Sequence, residues 1–280
     1  MEDSDRSVIE EESETLSMID METAREIHFR REVYKSRPWY HDFSKLGIQT
    51  NFSTGLPRFL RVQKKILSLL GRDIIGLNLR GENYVKNQRD KEEWLLPFLG
   101  KAFKLNSSKA ESFLDVFCAD GYYSFWVKQN FNPGRIVGVD ITGEDIRRCL
   151  LIKSILNFDR IEFRQQNVLE MSKTEKFDIV LNAGGLYHLQ EPSKFIELSY
   201  AITRRLMVLQ TVVTLETESE DYFVSPAPGW KHGCRFTDAW IRKRLSDIGW
   251  RIIQKERNVL SGNERLCDRG SSYFLLEKNE

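Results

Sequence analysis

The segment Asp115-Val-Phe-Cys-Ala-Asp-Gly121 puts two carboxylates and a glycine within seven residues, directly after an apolar run. That pattern suits the tip of a buried strand turning into a helix, where glycine tolerates a positive φ and lets backbone approach a ligand. A pyrophosphate would want several glycines against the helix end. Here Phe117 and Ala119 stand where a Gly-x-Gly pattern needs glycine, and Asp115 and Asp120 would repel phosphate. The loop therefore suits a cationic, phosphate-free ligand. S-adenosylmethionine, with its α-ammonium and sulfonium, meets that description. Asp140-Ile141 ends the next apolar run, where an acidic residue accepts hydrogen bonds from two ribose hydroxyls. Asn167 could read an adenine amino group while Val168 packs on the ring. Asn182-Ala-Gly184-Gly-Leu-Tyr187-His188 carries two glycines that would let backbone pass close to a ligand. His188 is then the candidate general base for an acceptor hydroxyl or amine, with Tyr187 and His41 orienting it. A histidine that only orients its loop is the plainer alternative. No ligand cluster calls for a metal.

The elements that must position these residues follow from periodicity. Beyond residue 110, apolar strands alternate with helices: strands at 112–117, 135–141, 160–166, 176–184 and 205–213, and helices at 120–130, 143–156 and 192–203. A helix over 238–248 has Thr237 as N-cap and ends at Gly249. Strands at 250–257 and 271–278 finish the chain. Near-continuous apolar strands with intervening helices imply a parallel sheet covered on both faces. About thirteen residues join the last two strands, too few for a helical crossover, so they are expected to pair antiparallel. The fold class is α/β: a doubly wound, mostly parallel seven-stranded sheet.

Upstream, residues 1–22 hold nine acidic side chains and one arginine, and read as a solvated tail, with a mobile flap as the alternative. Residues 23–104 read as an N-terminal helical cap, with helices at about 20–35, 58–70 and 90–104 (Pro97 a kink) and a strand or turn at 76–79. The sheet domain is expected over 105–280. Trp39, Tyr40, Tyr222 and Trp230 could line a hydrophobic acceptor pocket.

Composition excludes several classes. Forty-two Lys+Arg against forty-one Asp+Glu rule out an obviously basic nucleic-acid binder. No apolar run reaches the ~18 residues needed to span a bilayer, and the acidic start is unlike a secretory signal. Cys118, Cys149, Cys234 and Cys267 lie far apart, as isolated thiols in a reducing cytoplasm would.

In this order the motifs resemble a class I S-adenosylmethionine-dependent methyltransferase over about residues 110–280. WYHDFSKLGIQT (39–50), LDVFCADGYYSFW (114–126), VGVDIT (137–142) and NAGGLYHLQEP (182–192) resemble the group of the bacterial tRNA wobble-uridine carboxymethyltransferase and its shorter relatives. That group uses carboxy-S-adenosylmethionine and holds the extra carboxylate with a lysine, a tyrosine and a C-terminal arginine. The resemblance assigns Tyr187 to the tyrosine and Arg269 to the arginine. No lysine aligns with the third, and Arg72 is the nearest basic residue. Ordinary methyl transfer from S-adenosylmethionine to an oxygen or nitrogen of a small molecule is therefore expected. Two other readings stand beside it: a tRNA-modifying enzyme with Arg25–Arg37, Arg147-Arg148 and Arg242-Lys243-Arg244 as phosphate contacts, and a non-catalytic partner subunit that kept the fold.

Overall fold

The computed structural model describes residues 23–50, 79–106 and 111–279. The expected acidic tail, the helix at 58–70 and Arg72 lie outside these residues, as does most of the segment 76–79. The chain divides into two compact units, Met1–Arg37 and Pro38–Glu280. The described part of the first is a helix over 23–35 (α1), laced by the pairs Arg30–Glu26 and Lys35–Glu32. The second holds the sheet together with the segment from Pro38 and a long helix, α2 (Leu79–Leu105).

The sheet has seven strands: β1 (Ser112–Val116), β2 (Arg135–Asp140), β3 (Ile161–Gln165), β4 (Phe177–Ala183), β5 (Thr203–Val213), β8 (Trp250–Val259) and β9 (Gly270–Lys278). Their order is β3-β2-β1-β4-β5-β9-β8. The first five run parallel, and β9 is antiparallel to both β5 and β8, as the short connection requires. β1 is buried at every position and β5 from Leu206 onward, because α3 (Tyr122–Phe131), α4 (Gly143–Leu156), α5 (Pro192–Ile202) and α6 (Asp238–Ile248) cover the faces. Strand order reverses between β1 and β4, which opens a crevice at their carboxyl ends. Thr237 Oγ1 caps α6 by accepting from the Trp240 amide at 3.0 Å, and Gly249 closes it at φ 102°.

One pairing was not expected, and one expected helix is longer than its pattern. β6 (Phe223–Val224) and β7 (Arg235–Phe236) form a two-residue ladder that pins the loop between β5 and α6. α2 starts eleven residues before the predicted boundary and runs through Pro97. Its apolar residues Leu95, Phe98, Leu99 and Ala102 are buried, as are the polar Gln88, Lys91 and Glu92. It packs on β5 and β9. A buried polar stripe leaves no apolar periodicity to read, which is why the pattern stopped short.

Candidate active site

The β1 turn has three residues at positive φ, and one of them is a glycine. Phe117, Ala119 and Gly121 have φ of 58°, 48° and 80°. Two of these are side-chain-bearing residues held in the left-handed region, a conformation costing about 1 kcal/mol or more each. Asp140 secures the turn: Oδ2 accepts from the Ala119 amide at 3.0 Å and Oδ1 from the Thr142 amide at 2.8 Å. Each oxygen retains a lone pair. The Phe117 ring lies against Gly185, where a Cβ would come within 2.0 Å of it, and meets Phe195 edge-on. Gly185 is thus needed to house a phenyl ring. Gly121 packs on Cys149 and Phe163.

The two carboxylates of the turn differ. Asp115 is buried, accepts from Ser124 Oγ at 2.8 Å, and burial pushes its pKa up to about 7. Asp120, fully buried, accepts from the amides of Tyr40 (2.8 Å) and His41 (2.9 Å) and lies 2.5 Å from His41 Nδ1. It fastens residues 40–43 to the turn. Beside Asp140, Ile141 leaves 65% of its surface exposed, and Leu169 is exposed as well. Val168 points into the core, and Asn167 caps the turn Val168–Glu170 by accepting from the Leu169 amide. The apolar side chain offered beside Ile141 is therefore Leu169. At the end of β4, Asn182 Oδ1 accepts from the Gly185 amide at 3.0 Å, while its buried Nδ2 has no partner among the described residues.

On the other side of the β4 tip lies a cavity of about 440 Å³. Tyr84, Asn87, Gln88 and Lys91 wall it from one face of α2, at the spacing i, i+3, i+4, i+7. Tyr40 and His41 close a second side; Tyr187 and His188 form the floor; Trp230, His232, Gly233 and Arg235 come from the β5–α6 loop. Gly233, at φ 74°, passes so close to the Tyr187 carbonyl that a Cβ would sit 2.6 Å from it. Tyr40 and Tyr187 both line the cavity. Burial lifts the Tyr187 hydroxyl to about 12, and the Tyr187 hydroxyl, then burial, raises that of Tyr40. His188 keeps solvent access on the cavity wall; the surrounding protein, then the Lys91 and Arg235 cations, lower its pKa to about 4, so the ring is neutral at neutral pH. Arg235 Nε donates to Asp268 at 2.5 Å.

Tyr187, His188, His41, Tyr40 and Trp230 therefore meet in one cavity. Three expected lining residues do not. Trp39 is buried and packs edge-on against Phe43, Tyr222 reaches toward Glu216 at 3.4 Å, and Arg269 is exposed in the turn Leu266–Arg269. The arginine of the cavity is Arg235, and its lysine is Lys91. His41 answers Asp120 and stacks on Tyr122 instead of supporting His188. The helical spacing of Tyr84, Asn87, Gln88 and Lys91 was the signal available for α2; Arg235 carried none.

The sheet order is that of the class I methyltransferase fold, and residues 107–232, under half of the chain, match the family model described as Methyltransferase domain. Over that segment the chain is similar to a methyltransferase domain, and its fold is that of structures solved with SAM or SAH bound. The tRNA U34 carboxymethyltransferase of Alteromonas mediterranea is 29% identical to it over 94 residues, covering 32% of this chain and 28% of that enzyme. The match to a Campylobacter jejuni enzyme of the same name covers 40% of its length, so the chain spans well under half of either. The N-terminal domain of EvdMO1, solved with SAH bound, superposes with a TM-score of 0.55 at 17% identity, covering 92% of this chain and 97% of that one. Magnesium protoporphyrin IX methyltransferase from Synechocystis PCC 6803, solved with bound SAM, gives a TM-score of 0.54 at 16% identity over 80% and 99% of the two chains. Likeness at these identities is one of fold.

Proposed function

We propose that the chain transfers a methyl group from S-adenosylmethionine to an oxygen or nitrogen of a small-molecule acceptor held in the cavity beside Tyr187 and His188. The observation that carries this reading is the cavity of about 440 Å³ at the β4 tip, next to a crevice whose residues fit the nucleoside. Exposed Ile141 and Leu169 offer apolar faces for a purine, the lone pairs left on Asp140 suit ribose hydroxyls, and Asp115 with unpartnered Asn182 Nδ2 suits an amino acid group. When bound, the cofactor supplies a methyl on a positively charged sulfur. The chain contributes alignment and exclusion of water. His188, unprotonated at neutral pH, accepts the acceptor's proton at a ring nitrogen.

Surface charge favours a small acceptor over RNA. Arg147 pairs with Glu144, Arg148 with Asp145, Arg242 with Asp238, Lys243 with Glu220 and Arg244 with Asp247, which neutralises two of the three candidate phosphate patches. One observation favours carboxymethyl transfer as a second reading: buried Lys91 stands in the cavity with Tyr187 and Arg235, supplying the cation that sequence alignment lacked.

Calorimetry with the demethylated cofactor tests the assignment. The wild-type chain should bind, and Asp140→Ala should bind at least tenfold more weakly through loss of the ribose acceptor and of the Ala119 anchor. No heat with wild type would leave the non-catalytic subunit; unchanged affinity in a folded variant would remove Asp140 from the site.

A further inference from the structure

Lys91 is 7% exposed and faces the cavity, yet it has no hydrogen bond or ion pair among the described residues. The other buried cations are matched: Lys128 by Asp159, Arg148 by Asp145, Arg235 by Asp268. Its ammonium lies 3.1 Å from where a Cβ on Gly184 would be, and Gln210 Oε1, a buried acceptor without a partner, lies 3.3 Å from the same point. Gly184, at φ 92°, thus leaves the ammonium room at the tip of β4. An unpaired buried charge is costly, and a ligand of opposite charge removes that cost.

The cavity's remaining charges define the partner. Asp268 is the acidic residue of the lining, and it is engaged by Arg235 and Arg265. Among the described residues Arg235 and Arg265 share that one carboxylate, so the cavity keeps an excess of positive charge, and Lys91 is its cation without a partner. A carboxylate brings its one negative charge to the one ammonium that has no partner. None of Asp115–Gly121, Asp140 or Ile141 lines this cavity. We propose that the acceptor carries a carboxylate, which docks on Lys91 while the Tyr40, Tyr84 and Tyr187 rings flank its body and His188 faces the atom to be methylated. This rests on the methyl-transfer reading above and names the chemical class of its acceptor.

The test uses benzoate and its uncharged counterpart benzamide as probes, titrated into the full chain with the demethylated cofactor present. Wild type should bind benzoate at least tenfold more tightly than benzamide. Lys91→Met should abolish that preference while holding the demethylated cofactor within about twofold of wild type. Lys91→Gln, which keeps a polar end, should behave the same way and serves if the methionine variant does not fold. Equal binding of the two probes by wild type, or a preference that survives both substitutions, overturns the proposal. So does a tenfold loss of demethylated cofactor in either variant, which would put Lys91 on the donor's own carboxylate. A tenfold preference of wild type for carboxy-S-adenosylmethionine over S-adenosylmethionine, lost with Lys91, would place the anion on the transferred group and also overturn it. Failure of wild type to bind any of these nucleosides would strike the methyl-transfer reading separately, since the benzoate preference can be read without cofactor.

Discussion

Replacing Lys91 by methionine should stabilise the protein, and by an amount that depends on pH. Burial lowers the Lys91 ammonium from its ordinary 10.5 to about 8. At about 1.4 kcal/mol per tenfold change in proton affinity, this corresponds to about 3 kcal/mol of unfavourable free energy while the charge is carried. Below pH 8 both the folded and unfolded chains hold the proton, and the penalty is present in full. Between 8 and 10.5 the folded chain gives up its proton first, so the unfolded chain binds more protons and stability rises with pH. Above 10.5 the penalty has gone. Lys91→Met lacks this behaviour, because methionine has no charge and fills a similar volume. At about 2–4 °C per kcal/mol for a chain of this size, the variant should melt about 6–12 °C above wild type at pH 7. The gap should narrow steadily at pH 8.5 and 9.5. Thermal denaturation by circular dichroism in ligand-free buffers reads it directly. A gap that stays constant over this range, or a wild type that melts higher at pH 7, would refute the picture of an unpaired buried ammonium.

Asp120→Ala should cost about 3 kcal/mol or more in urea denaturation, since it strands two amides and the ring of His41; near-wild-type stability would show that residues 40–43 are held by other means. Asp115, with a folded pKa raised to about 7, binds its proton more tightly folded than unfolded, so it makes stability fall as pH rises from its ordinary 3.8 to 7. Asp115→Asn should therefore match wild type near pH 4 and exceed it at pH 8, and an unchanged pH profile of the melting temperature would contradict this. His188→Ala should abolish methyl transfer to the acceptor while leaving affinity for the demethylated cofactor intact; full turnover would eliminate it as base.

Much of the sheet was legible because parallel strands buried on both faces must be apolar along their length, as β1, β4 and β5 are. Both ends of α6 were legible from Thr237 and Gly249, and the antiparallel β9 from the shortness of the connection before it. The cavity was less so. Lys91 looks in sequence like any helical surface lysine; only the packing of α2 against β5 and β9 turns it inward. Arg235 and Arg269 both adjoin strands, and only the path of the β5–α6 loop distinguishes them. Asn167 after a strand is as suited to capping a turn as to reading a base, and here the capping is what the structure shows. The pairing of Phe117 with Gly185 joins positions 68 residues apart, beyond the reach of any local pattern.

That pairing has a bearing on how this loop could be altered. Volume missing from one strand tip has been moved to the other, a phenyl ring facing a bare backbone. Restoring glycine at 117 would not recover an ordinary nucleotide turn; it would leave a benzene-sized void between β1 and β4, because interiors packed like crystals relax only partly around a deletion. Enlarging Gly185 would force the ring outward. The two positions can change together or not at all.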